Sequence, residues 1–443
     1  MAELKLALKT LTPLWTGGVD KTCDRLHETG IIGSLRWWYE AIVRGLGGKA
    51  CNATSKREAE RCRFNPDAYE KAKEKDKSER EALLEARVCD VCQSYGATGY
   101  GRRFRGELEG GKLTFEDNNI FIPSGRIRTR RRRGREEEYP GGWYLGPGYV
   151  GNLRFEIISL RKSFSEATIL VPLVLAARWG GLGAKVQHGY GVVKALWEDG
   201  KEIKVDEELL GTLPKGGIIY NDDSPNIQDF FFALFHFTVV DENWWRKVNG
   251  LRQALKQEVQ GRRFRELKDI NAQLEDWVKN GSVPIAPAIK NQLRFESNII
   301  PAKDYGKRNY IFGTTDRVCP LCYNRVREDR QDPRRYWCSN CRYSFPKEQV
   351  VEHIAAKINI SCAYPIDKGL WEFRIWGWLP RKAPARLGLN RDAFLRDLKA
   401  KLQDKKMWHG VFGKDGPIPK LVSWLTCEDR DAEKFLRKLL LGN

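Results

Sequence analysis

Leu4, Leu6 and Leu8 alternate with Glu3, Lys5, Ala7 and Lys9, the period-two pattern of a strand with one buried face. A Pro/Gly loop, TLTPLWTGGVD at 10–20, follows, and then the period changes. In GSLRWWYEAIVRGLGG (33–48), Leu35, Trp38, Ile42 and Leu46 recur at helical spacing. Ser34 is placed to cap that helix and Gly47-Gly48 to end it. Arg36, Trp37, Tyr39 and Arg44 cannot all share the apolar face, so cations and aromatics remain for the outer surface. This is either a core helix with tryptophans inside or a helix beside a nucleic-acid strand. In the second case Arg36, Trp37 and Arg44 would grip phosphates and unstacked bases. The strand–loop–helix start predicts an α+β sandwich, helices on one side of an antiparallel sheet.

The pattern continues in the same vein. Residues 49–88 are polar and read as an insertion, with one charged, solvated helix over 69–86. Residues 152–160 and 192–197 read as strands flanking a buried helix over 167–179. A polar stretch at 201–225 reads as a linker, followed by an aromatic strand at 230–240 and helical stretches at 244–260 and 265–279, with Trp244 and Trp245 as core. Strands at 358–363 and 371–378 and helices at 391–403 and 429–441 complete the chain. Leu293-Arg294-Phe295 echoes Leu35-Arg36-Trp37, and IFGTT (311–315) echoes SYGAT (94–98), which suggests two related units in tandem, 1–200 and 226–443.

Charge changes what these units are expected to meet. Across 443 residues, 77 Lys and Arg outnumber 58 Asp and Glu, a net charge of +19, and 15 Trp and 15 Tyr accompany them. Cations release counterions from a phosphate backbone, and aromatic-plus-cation surfaces suit single strands. Three stretches carry the pairing. In SYGATGYGRRFRGELEG (94–110), Arg102, Arg103 and Arg105 follow three glycines; the loop matches neither a Walker A motif nor a dinucleotide fingerprint. RIRTRRRRGR (126–135), with Arg126, Arg128 and Arg130, repels itself and reads as a solvated loop or as an arm that orders on RNA. In GGLGAKVQHGYGVV (180–193), glycines would bring main chain close to a ligand backbone while Lys185, His188 and Tyr190 contact it. The start of the chain lacks the apolar core of a signal peptide, and the apolar run at 167–177 is too short for a bilayer, so a cytoplasmic protein is expected.

The 11 cysteines point to metal rather than disulfides. Cys319-Pro-Leu-Cys322 and Cys338-Ser-Asn-Cys341 lie 15 residues apart, the spacing of two knuckles that deliver four thiolates to a structural Zn²⁺ within a ribbon at 317–345. Cys51, Cys62, Cys89 and Cys92 form a looser set, read as a second zinc site or as four reduced thiols. Cys23, Cys362 and Cys427 are taken as structural.

LTPLWTGG, GSLRWWYEAIVRG, VCDVCQSYGATGYGRRFR and GLGAKVQHGYGVV, in that order, resemble the RAMP superfamily of CRISPR systems, and within it the first-subunit family of the type III-B (Cmr) effector complex. The resemblance spans most of 1–196 and thins toward the C-terminus; the insertion and the ribbon look like additions. It implies two tandem ferredoxin-like (RRM-like) βαββαβ domains and a non-catalytic subunit that holds the 3′ region of the CRISPR RNA. It further implies help in capturing target RNA, with other RAMP subunits as partners and no membrane. Two alternatives remain. One is a metal-independent CRISPR RNA-processing endoribonuclease using His27 or His188. The other is a ribosome- or transcription-associated zinc-ribbon protein, which would leave the glycine loop unexplained.

Overall fold

The computed structural model describes residues 3–442 apart from 19–21, 56, 116–118, 133–134, 221–222 and 253–269, and describes only the backbone of 125, 127–132, 135–140, 270 and 271. Strand β1 (Glu3–Thr10) buries Leu4, Leu6 and Leu8, as its alternation requires. With β2 (Phe104–Leu113), β5 (Tyr149–Ser159) and β6 (Val193–Trp197) it makes a four-stranded antiparallel sheet in the order β2-β5-β1-β6. Helix α1 (Glu28–Gly45) connects β1 to β2, and α5 (Ala167–Trp179), buried almost throughout, connects β5 to β6.

The helix expected from residue 34 starts at Glu28. His27 provides the extended cap residue, and Ser34 lies inside the helix. Ile31, Ile32 and Leu35 carry the buried stripe one turn further toward the N-terminus, and packing outweighs the helix cost of Gly30 and Gly33, about 1 kcal/mol each. Its C-terminal end is as expected, with Gly47 at φ +73.

In the insertion, the single helix expected over 69–86 is two: α2 (Pro66–Lys73) and α3 (Glu79–Glu85). Asp76 turns left-handed at φ +53 and a reciprocal Ser78–Glu81 capping box restarts the chain. A short α4 (Asp90–Tyr95) leads back to β2. The arginine run is a paired hairpin, not a loose arm: β3 (Ile120–Arg132) against β4 (Arg135–Leu145). Its register sets Arg130 opposite Glu137 and Arg131 opposite Glu136.

The stretch expected as a linker holds α6 (Glu207–Gly211), inserts Leu210 and Leu213 into the N-terminal core, and pairs its backbone with Leu46 and Gly47. Beyond it, β7 (Phe230–Thr238), β11 (Ile358–Ile360), β13 (Leu370–Trp378) and β14 (Lys420–Thr426) form a second antiparallel sheet, β11-β13-β7-β14, with β12 (Tyr364–Asp367) added on β13. When only the four strands of each main path are numbered in chain order, both sheets read second–third–first–fourth. Between β7 and β11 lie α7 (Ile270–Lys279), α8 (Ala286–Asn291), a π-turn over Gln292–Glu296 and α9 (Tyr305–Phe312). Then come the small strands β8 (Arg327–Glu328), β9 (Arg335–Cys338) and β10 (Tyr343–Pro346). Helices α10 (Arg391–Leu402) and α11 (Lys405–Phe412) precede β14, and α12 (Ala432–Leu440) closes the chain. Trp244 and Trp245 are core, on a 3₁₀ turn at Trp244–Lys247; residues 253–260 and 265–269 of the expected helices lie outside the described residues.

The halves are held together by rings. Trp37 and Trp38 of α1 meet Phe230 and Trp376 of the second sheet, with centroids 5.8 Å apart for Trp37–Phe230 and 5.1 Å for Trp38–Trp376. Among the described residues no helix is long and apolar enough to cross a membrane.

Candidate nucleic-acid interface and metal centres

The loose cysteine set converges. Cys51 follows the end of α1, Cys62 precedes α2, and Cys89 and Cys92 bracket the first turn of α4, yet their sulfurs all lie within 4.8 Å of one another. Cys51 and Cys92 are 3.5 Å apart, close to the edge of about 3.8 Å that a tetrahedron with 2.3 Å metal–sulfur bonds would have. Backbone amides of Cys51 and Cys89 donate to Cys89 Sγ and Cys62 Sγ. Hydrogen bonds from the other three thiols hold Cys51 far below the ordinary thiol range.

Arg36 serves this cluster. Its guanidinium donates to Cys92 Sγ at 3.0 Å, to the Gly96 carbonyl and to Glu40. A half-buried cation beside a four-thiolate group offsets the negative charge that group would carry, and outer hydrogen bonds of this kind tune metal affinity. Arg44, 4% exposed, donates to Glu40 and to the carbonyls of Cys51 and Pro225. The second set is as its spacing requires: Cys319–Cys341 are 3.7 Å apart and Cys322–Cys338 3.6 Å, over a small core of Val326, Tyr336, Phe345 and Val350. Both sets therefore fit a tetrahedral metal.

The residues singled out for RNA are not brought together. Arg36, Trp37 and Arg44, read above as outward-facing, are committed to cysteines, rings and carbonyls of the chain itself. Arg103 is buried against Tyr100 and the Ser163 carbonyl, and Tyr190, 1% exposed, donates to the Gly146 carbonyl. The α1 pattern misled because both of its faces are covered, one by its own half and one by the second sheet. Arg102 lies over Phe104, and Arg105 is exposed beside Glu107. The side chains of Arg128 and Arg130 lie outside the described residues.

The glycine loop turns out to be packed tightly against protein. Gly191 sits at φ +84, where a Cβ would fall 2.0 Å from the Leu182 carbonyl oxygen; Gly189, at φ +106, touches Cys362 of the other half. That contact places the loop on the seam between the halves. There Lys185 lies 4.1 Å from the Trp15 ring centre, and His188 faces Trp143 with its Nδ1 unpaired among the described residues. Burial and two nearby lysines push His188 down to about 3.

Sequence reasoning missed the residue opposite. Lys290 of α8 is 5% exposed, and among the described residues no hydrogen bond or carboxylate reaches its ammonium. Burial, with Arg294 nearby, pushes it down to about 7. Phe295 carries the guanidinium of Arg126 3.7 Å from its centre, with Arg294 and Arg308 also over it. The Leu-Arg-Phe echo marked the residues that follow Lys290 without revealing that α8 packs against the glycine loop.

Comparison with known proteins bears on the N-terminal half. Residues 7–194 match the family described as the RAMP superfamily. That match covers less than half of the chain. No curated protein matches it. Among solved structures, the chain is similar at 13% identity and a TM-score of 0.31 to the crystal structure of Cmr1 from Pyrococcus furiosus (apo form), over 90% of this chain and 97% of that one. It is similar at 14% identity and a TM-score of 0.25 to a chain described as a type IV-B CRISPR complex, over 49% of this chain and 97% of that one. Scores this low do not equate the folds.

Proposed function

We propose that this protein is a RAMP-superfamily member and a non-catalytic, RNA-binding subunit of a type III-B (Cmr) CRISPR ribonucleoprotein. It holds the 3′ region of the CRISPR RNA and helps to capture complementary target RNA, beside other RAMP subunits and in the cytoplasm. The RAMP segment supports the class. The observation that carries RNA binding is the seam, where Lys290, Lys185 and His188 are gathered without a carboxylate among the described residues. A buried ammonium lacking an anion is costly, and a backbone phosphate supplies the missing charge. Arg126 on Phe295, with Arg102 and Arg105, would extend the cationic path.

The shared strand order supports reading each half as a ferredoxin-like unit, the second a duplicate of the first. Each cysteine tetrad would hold one Zn²⁺ in a structural role, since four thiolates leave no position for water. The histidines favour binding over cleavage. His27 is paired with Asp24 at 2.9 Å, and His188, neutral above about 3, carries no imidazolium proton for a leaving oxygen.

The full-length protein should retard labelled single-stranded RNA, lose affinity steeply with salt and leave the strand intact. Lys290→Ala should weaken binding by on the order of tenfold for every sequence alike. Affinity untouched by both Lys290→Ala and Lys185→Ala would remove RNA from the seam. Cleavage abolished by His27→Ala or His188→Ala would instead favour the processing nuclease.

A further inference from the structure

The cysteine ribbon carries an outward face that neither its fold nor the seam accounts for. In β9, Tyr336 and Cys338 point inward, 6% and 0% exposed, and alternation sends Trp337 to the other side, where it is 41% exposed. β9 is the middle strand of three, so Trp337 stands at the centre of a small sheet. Register places it opposite Arg327 on β8 and Ser344 on β10. Arg335, two residues back on the same face, is turned down onto Ser344. Arg327 is exposed and makes no ion pair among the described residues, and no ring or cation covers Trp337 there either.

Two features select the occupant. Over residues 317–347 eight Lys and Arg face three Asp and Glu, so the surroundings are strongly cationic. An exposed indole beside a guanidinium in a basic field matches a base and its phosphate: the ring stacks on any base, the cation takes the charge, and neither reads sequence. Duplex RNA hides its base faces and does not fit.

We propose that the outer face of the ribbon sheet, Trp337 with Arg327, is a stacking platform for single-stranded RNA. It is separate from the seam and lies outside residues 7–194. It gives the ribbon a task beyond holding metal.

The test uses full-length, zinc-loaded protein, a labelled mixed-sequence single-stranded RNA and the same sequence as a duplex. Trp337→Ala should lower single-strand affinity by about tenfold, with duplex affinity and zinc content unchanged. Trp337→Tyr, which keeps a ring, should stay within about threefold of the parent, and Arg327→Ala should lower the salt slope by about one. Parental affinity in Trp337→Ala, or equal loss in the Ala and Tyr variants with zinc retained, overturns the proposal. Should a Trp337 variant lose zinc, unchanged affinity and salt slope in Arg327→Ala overturn it instead. If Trp337→Ala keeps its RNA affinity but fails to assemble with a protein subunit, the face is a protein interface. RNA binding that responds to Lys290→Ala and not to Trp337→Ala sinks the ribbon alone; a chain that ignores RNA sinks both readings.

Discussion

The two halves use the same parts for opposite ends. Each has a sheet in the order second–third–first–fourth, an arginine-bearing helical segment, a helix ending at a left-handed glycine, and four converging cysteines. Gly96 after α4 and Gly313 after α9 have nearly the same backbone, φ/ψ +85/160 and +76/162. In the first half the cations of that segment are neutralised. Arg36 lies among thiols and Glu40, and Arg44 among carbonyls and Glu40. In the second half Lys290 is buried with no carboxylate among the described residues. The cysteines differ likewise. Cys89 and Cys92 belong to the main N-terminal core, whereas the ribbon cysteines close a small core of their own. The difference teaches that a cation's role follows from whether the fold also supplies its anion.

The comparison breaks most visibly at the metals. Cys92→Ser should release one zinc and destabilise the N-terminal half by at least about 3 kcal/mol, because the site is built into that core. Cys338→Ser should release the other zinc yet shift unfolding of the two large sheets by less than about 1 kcal/mol. Metal analysis with denaturant titration checks both, and equal losses would end the distinction. A smaller effect sharpens it: Arg36→Gln should weaken metal at the first tetrad by about 10- to 100-fold and leave the ribbon unaffected, measured by competition with a chromophoric chelator.

The smallest effect is in pH. Lys290, pushed down to about 7 in the free protein, should return toward its ordinary value when phosphate arrives. Between pH 7 and about 10 binding then takes up a proton, so RNA affinity should fall as pH rises, by at most about tenfold per unit, and level off below 7. In the same window the unfolded chain binds more protons than the folded one, so unliganded stability should rise with pH. Lys290→Met should flatten both curves; a parental profile in that variant would show that the ammonium is not the titrating group.

Local pattern determined the pieces. Alternation gave β1, continuous apolar runs gave α5 and β7, and two knuckles 15 residues apart gave the convergence of the ribbon's four cysteines, because each signal lies within one element or one loop. Family motifs in 1–196 agreed with the segment that matches the RAMP superfamily. Tertiary structure decided what those pieces touch. Whether Trp37 and Arg36 face solvent depends on a second sheet some 200 residues away and on cysteines set 10 and 26 residues apart, none of it encoded in helical periodicity. Lys290 gave no signal at all, since a lysine near a helix end reads as solvated. Only the docking of α8 against the glycine loop buries it with no anion among the described residues, for burial and pairing belong to distant segments brought together and not to any one of them.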